Sequence, residues 1–186
     1  MSVDPTGMAA MNLSPATPPF PLLCLDPSST KIGWALFIAN QTGPVCVQSN
    51  FFQIPETAPP DARVIMVGPA VIQIMQLCET NGYRPAAVLI EIPDFIAHYA
   101  KDHIVTYHRA VGVAEYAVYQ TGLPIFRVTA SQDKRKGRKD RYKQRFRNAT
   151  GRHAGSDDES DAFCICQDYL GDLIAAAKHQ RGQLPF

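Results

Sequence analysis

Much of what usually places a sequence at sight is missing here. The first twenty residues hold no lysine or arginine, which argues against a secretory or mitochondrial leader. No uninterrupted apolar run reaches the length of a membrane span, so no membrane partner is expected. Cysteine is sparse and odd in number: Cys24, Cys46, Cys78, Cys164 and Cys166. Cys24, Cys164 and Cys166 lie inside apolar runs, where a thiol behaves as a small hydrophobe. The Cys164-Ile165-Cys166 spacing does not fit a zinc knuckle, which favours Cys-x-x-Cys. The expectation is a reduced, intracellular protein, cytoplasmic in location. An excess of charge of either sign is also missing, since the net is only +1.

That small net charge hides a segregated distribution. From Lys134 to Arg147, nine of fourteen residues are Lys or Arg against a single acid, Asp140. The remaining nine basic residues meet sixteen acids, so the rest of the chain carries a net of −7. An acidic body with one concentrated basic segment fits a polyanion met at one place. The candidate contacts are Lys134, Arg135, Lys136, Arg138, Lys139, Arg141, Lys143, Arg145 and Arg147. Tyr142 and Phe146 are spaced i, i+4, so one side of the segment can pack while the other meets phosphates. With 46% hydrophobic and 19% charged residues, the composition is that of a globular domain able to bury a core.

Residues 1–19 are rich in Met, Pro, Ser, Ala and Thr without periodicity and read as a disordered leader. The domain is expected over residues 20–178, with 179–186 a flexible tail. Pro21 to Asp26 is a short apolar run ending in an acid. Gly33–Ala39 and Val45–Phe52 are two further strands joined by tight turns, making an antiparallel meander. Asp61 to Cys78 places Val64, Val67, Val71, Ile74, Met75 and Cys78 at helical spacing. Ala86–Ile92 is a strand, residues 96–121 are largely helical, Leu123–Val128 is a fifth strand, and a last helix runs from about Ser156 to Lys178. Strands alternating with helices after a meander predict an α/β fold: a five-stranded mixed sheet covered by helices on both faces.

Four acids stand out against this frame. Asp26 closes an apolar strand, where a carboxylate is costly unless it is paired or binds a cation. A turn-capping role before Pro27 is the plainer alternative. Glu91 interrupts the apolar run Val88-Leu89-Ile90-Glu91-Ile92, and alternation sends it to the face opposite Ile90 and Ile92. Ser156 with Glu159 fits a capping box, and acids suit a helix N-terminus, which accounts for Asp157, Asp158 and Glu159. It does not account for Asp161. Asp158 and Asp161 share a face that turns toward the core at Ile165 and Leu173. Like charges on a core-facing side call for a cation, and all-oxygen donors suit a divalent one. Phosphodiester hydrolysis uses such a set, because two metal ions held by carboxylates stabilise both the attacking and the leaving oxygen.

Leu25-Asp26-Pro27-Ser28-Ser29-Thr30-Lys31-Ile32-Gly33-Trp34-Ala35, then Leu89-Ile90-Glu91, Leu123-Pro124-Ile125-Phe126 and Asp158-Glu159-Ser160-Asp161-Ala162, together resemble the RuvC family of Holliday-junction resolvases. The resemblance runs from about Leu22 to Ala177. It implies an RNase H-like fold, with the fourth and fifth strands parallel to the first. It also implies Mg²⁺ or Mn²⁺ as cofactor, two ions per site, and a homodimer cutting branched DNA, above all four-way junctions. Asp26, Glu91, Asp158 and Asp161 fall on the family's metal-binding carboxylates. Lys134 and Arg141 fall on its basic positions, and Phe95 on the aromatic that wedges at the junction centre. Asp157 competes with Asp158, since Asp157 and Asp161 also share a face. The family's Gln-Ala-Arg-Gly-like segment appears here as Arg109-Ala110-Val111-Gly112, one arginine short.

Overall fold

The computed structural model describes residues 20–40, 43–92, 101–129 and 138–182. The leader expected over residues 1–19, the end of the tail, Phe95, Lys134, Arg135 and Lys136 lie outside these.

Nine elements follow one another: β1 (Phe20–Pro27), β2 (Lys31–Asn40), β3 (Gly43–Gln53), α1 (Pro60–Thr80), β4 (Ala87–Ile92), α2 (Lys101–Tyr119), β5 (Ile125–Thr129), α3 (Arg138–Thr150) and α4 (Asp157–Gly182). The strands form one sheet in the order β3-β2-β1-β4-β5. β1, β2 and β3 pair antiparallel, while β4 pairs parallel to β1 and β5 parallel to β4. This is the expected mixed sheet. The basic segment supplies an element that the strand-and-helix reading had left open, since Arg138–Thr150 is a helix in its own right.

Alternation along the strands divides the core in two. Leu23 and Leu25 of β1, Ile32, Trp34 and Leu36 of β2, and Val88 and Ile90 of β4 turn to one face. There they pack with Val67, Val71 and Ile74 of α1 and with Ala110, Ala114 and Val118 of α2. Leu22 and Cys24, Ala35 and Phe37, and Ala87 and Leu89 turn to the other face. They meet Phe146 of α3 and Phe163, Cys164, Ile165 and Leu170 of α4. Tyr142 and Phe146 do pack inward as their spacing implies. Phe146 is fully buried, with its ring edge-on to Phe163 at 5.1 Å.

Two expectations need correction. By length and composition α1 is apolar enough to cross a bilayer. Its polar residues are too few to lower its hydropathy, yet Val64, Val67, Ala70, Val71, Ile74 and Cys78 are buried in the domain core. It is thus packed as a core helix. The cysteines are not all free thiols either: Cys24 of β1 and Cys166 of α4 are joined, their Cα atoms 5.9 Å apart. Docking of α4 on the sheet brings together two buried thiols separated by 142 residues, a pairing that no local spacing reveals. Cys46, Cys78 and Cys164 are not in disulfides.

Candidate active site at the end of the sheet

β1 and β4 run parallel with Leu25 opposite Ile90, so the next residues, Asp26 and Glu91, end neighbouring strands on the face that α4 covers. Both are buried, at 7% and 5% relative exposure, at the ends of strands whose other residues are almost all apolar. β1 also pairs with β2, where Asp26 stands opposite Gly33. A Cβ on Gly33 would collide with the backbone carbonyl of Asp158. Glycine at this position therefore lets the first turn of α4 settle directly on the sheet beside Asp26.

The first turn of α4 is held by a buried anchor. Glu159 is sealed from solvent, and its carboxylate accepts hydrogen bonds from the Arg152 guanidinium, the Ser49 hydroxyl and the Gly155 N–H. Arg152 also donates to the Ser49 carbonyl at 2.9 Å and lies over the Phe146 ring, 4.8 Å from its centroid. The expected capping box is half formed. Ser156 Oγ accepts the Glu159 N–H at 3.1 Å, but the Glu159 side chain turns to Gly155, β3 and Arg152 instead of closing back on Ser156.

With the turn fixed, its acids divide. Asp157 faces α3, where Lys143 pairs with it at 2.6 Å and Lys139 at 3.1 Å. The Lys143 hydrogen bond, then that of Lys139, outweighs partial burial and holds its carboxyl below the usual range. Asp158 faces the sheet. Burial pushes its carboxyl up, Asp157 adds to that, and Lys31 and Lys139 oppose it. Asp26 is raised well above the ordinary carboxylate value, first by burial and then by the charges of Glu91, Asp158 and Asp161. Asp26 thus feels the charges of Glu91, Asp158 and Asp161 at this end of the sheet. Between Asp157 and Asp158, it is Asp158 that turns toward this group.

Two residues that the sequence did not mark also face the site. Tyr107 of α2 donates its phenol hydrogen to Asp26 Oδ1 at 3.2 Å. Burial, with the neighbouring carboxylates adding, pushes its own ionisation far above the ordinary phenol range, so it stays a donor. Lys31, at the start of β2, exerts its charge on Asp158. A tyrosine on an amphipathic helix reads as core, and a lysine after a turn reads as surface, so neither carried a signal.

The donor chemistry of this end of the sheet fits a hard divalent cation: carboxylate oxygens on rigid elements, mutually repelling and partly dry. Among the described residues no group of three or more His, Cys, Asp or Glu side chains is placed to hold a metal ion in this arrangement.

The basic candidates fall into two sets. Lys139, Lys143 and Arg145 are tied to α4, with Arg145 bridging Asp168 and Gln167. Arg141 and Arg147 lie on the exposed side of α3. Arg138 begins the helix.

No protein-family profile and no curated protein sequence matches the chain. Solved structures do. Thermus thermophilus RuvC in complex with a Holliday junction substrate superposes with a TM-score of 0.63 at 16% identity, over 85% of this chain and 96% of that one. A second Thermus thermophilus RuvC structure gives 0.59 at 17%, over 88% and 97%. The yeast mitochondrial Holliday junction resolvase Ydc2 gives 0.50 at 13%, over 89% and 86%. The chain has the RNase H-like fold, in the arrangement of strands and helices that the RuvC-type resolvases share.

Proposed function

We propose that the protein is a metal-dependent endonuclease that cleaves branched DNA, four-way junctions above all, by paired nicks within a homodimer. The observation that carries this reading is that Asp26 and Glu91 end neighbouring strands while the first turn of α4, which bears Asp158 and Asp161, settles on the sheet beside Asp26 and next to the basic helix α3. A binding module gains nothing from burying like charges. A nuclease needs such a set to hold cations at the scissile phosphate.

In this reading Asp26, Glu91, Asp158 and Asp161 hold Mg²⁺ or Mn²⁺, two ions per site. When bound, the ions supply the charge that stabilises the attacking and leaving oxygens. The protein's own part is orientation. Gly33 and the Glu159 anchor set the first turn of α4 against β1 and β4. Lys139 and Lys143 pin α3 to Asp157, which keeps the basic helix beside the first turn of α4. The Thermus RuvC structure that shares this fold holds a Holliday junction substrate, which supports a branched duplex as the partner. Phe95, Lys134, Arg135, Lys136 and Arg138, with Arg141, Arg145 and Arg147, are the further contacts proposed for that DNA.

Cleavage of synthetic four-way, three-way, flap and linear substrates side by side tests the reading. Wild-type protein in Mg²⁺ should cut the four-way junction fastest, at symmetric positions. Asp26→Asn should abolish cutting while leaving junction binding in Ca²⁺ intact. Equal rates on every branched substrate would favour a structure-selective nuclease of relaxed specificity. Binding without cutting by the wild-type protein would make it a non-catalytic module. Neutralising Arg141 and Arg147 together should flatten the salt dependence of binding by about one to two in log–log slope, roughly 0.9 per phosphate contact.

A further inference from the structure

α2 lies on the face of the sheet opposite α4, yet one of its side chains reaches the acids. The reason is in its sequence. Ala110, Ala114 and Val118 recur at four-residue spacing and are buried in the core between α2, α1 and the sheet. Tyr107 is three residues before Ala110 and follows the same side of the helix one turn earlier, level with the end of β1. Its ring packs against the core cluster beneath α2. Its hydroxyl donates to Asp26 Oδ1 at 3.2 Å, near the end of the central strand β1.

We propose that Tyr107 is a positioning residue for the cation site, holding the Asp26 carboxylate by one oxygen so that the other is presented to the metal. This inference rests on the nuclease reading above and names the residue that makes Asp26 a competent ligand. A carboxylate at a strand end can rotate about its last side-chain bond. A donor fixed on Oδ1 removes that freedom and leaves Oδ2 for a cation. The donor is neutral, which matters here. A lysine or arginine in its place would neutralise Asp26 and compete with the cation, whereas a phenol orients the carboxylate without cancelling its charge. Outer partners of this kind set ligand geometry, and their loss typically weakens metal affinity about 10–100-fold. Both helical layers of the domain then serve the same cation site, for α4 brings two acids from one face and α2 steadies a third from the other.

Mn²⁺ binding followed by electron paramagnetic resonance tests this without depending on cleavage. It is paired with junction binding in Ca²⁺ and thermal unfolding on the same full-length variants. Tyr107→Phe should weaken Mn²⁺ binding about 10-fold or more, with junction binding and the unfolding midpoint close to wild type. Cleavage should need more Mg²⁺ but approach the wild-type rate at saturation. Replacing Tyr107 by 4-aminophenylalanine, which keeps the ring and restores a neutral N–H donor at the same reach, should recover part of the loss. Equal weakening by this variant and by Phe would show that donation is not the cause and overturn the proposal, as would wild-type Mn²⁺ affinity in Tyr107→Phe. Should the Phe variant not fold, the 4-aminophenylalanine variant decides alone: near-wild-type affinity supports the role and a full loss overturns it. Asp26→Asn separates the two levels. If it loses Mn²⁺ while Tyr107→Phe does not, only the positioning role fails. If it binds Mn²⁺ as the wild type does, the metal site itself is misplaced, and the role of Tyr107 falls with it.

Discussion

Glu159 is fully buried and is bound by Arg152, which keeps half of its own side chain in solvent. The pair staples the start of α4 to β3, with the Ser49 hydroxyl as a second donor at 3.0 Å. Glu159→Ala strips the acceptor from three donors at once. It should cost on the order of 3 kcal/mol of stability, at the low end of the range for breaking a buried pair, because Arg152 can rehydrate. Urea unfolding measures it. A cost below about 0.5 kcal/mol, the level of an ordinary exposed pair, would show that the staple does not hold the turn.

Gly33→Ala should act on the site more than on the fold. The added methyl meets backbone at Asp158, which cannot swing aside as a long side chain would. Overpacking of this kind costs about 1–3 kcal/mol. The expected signature is a modest fall in the unfolding midpoint together with a far larger fall in Mn²⁺ affinity, since Asp158 and Asp161 move away from Asp26 together. A variant that binds Mn²⁺ normally would remove this close approach from the account of the site.

Asp26 gives a pH dependence whose sign can be worked out. Burial and three neighbouring acids raise its folded-state pKa well above its usual 3.8. Between those two values the folded state holds a proton that the unfolded chain has released, so stability falls as pH rises through that window. Asp157 has the opposite sign. Its lysine partners depress its pKa, so its contribution is present above 3.8 and is lost as pH falls below. In metal-free buffer, Asp26→Asn should therefore unfold at a higher temperature than wild type at neutral pH, with the gap closing as pH drops toward 3.8. A gap that is constant with pH would place the charge penalty elsewhere.

The Cys24–Cys166 link should be visible in solution. A cross-link between residues 142 apart removes denatured-state freedom worth roughly 5 kcal/mol in the chain-entropy account. Adding dithiothreitol to unfolding experiments should lower the midpoint markedly, and Cys166→Ala should reproduce the fall while making the protein insensitive to reductant. Titration of five free thiols in the unreduced, unfolded protein would show that the pair is not bonded.

The sequence carried the sheet because each strand obeys a local rule: apolar alternation bounded by turn residues, with Asp26 and Glu91 as the conspicuous exceptions. It carried Asp161 because helix capping had no use for an acid at that position. It left Asp157 and Asp158 undivided, since their separation depends on Lys139 and Lys143 arriving from another helix. Glu159 passed for a cap because its true partners, Ser49 and Arg152, come from β3 and the turn before α4. Tyr107 was hidden for a related reason: its role exists only where α2 meets the end of β1. What stayed illegible was long-range in every case, a matter of which surfaces meet and not of which residues are present.

The acids come from opposite ends of the domain, Asp26 from the first strand and Asp158 and Asp161 from the last helix. Contacts between distant segments form late, because the entropy of closing the intervening chain is met before they reward it. Under the proposed function the cation site is therefore assembled last: however early Asp26 and Glu91 find their places on the sheet, two of the four acids join them only when the last helix docks.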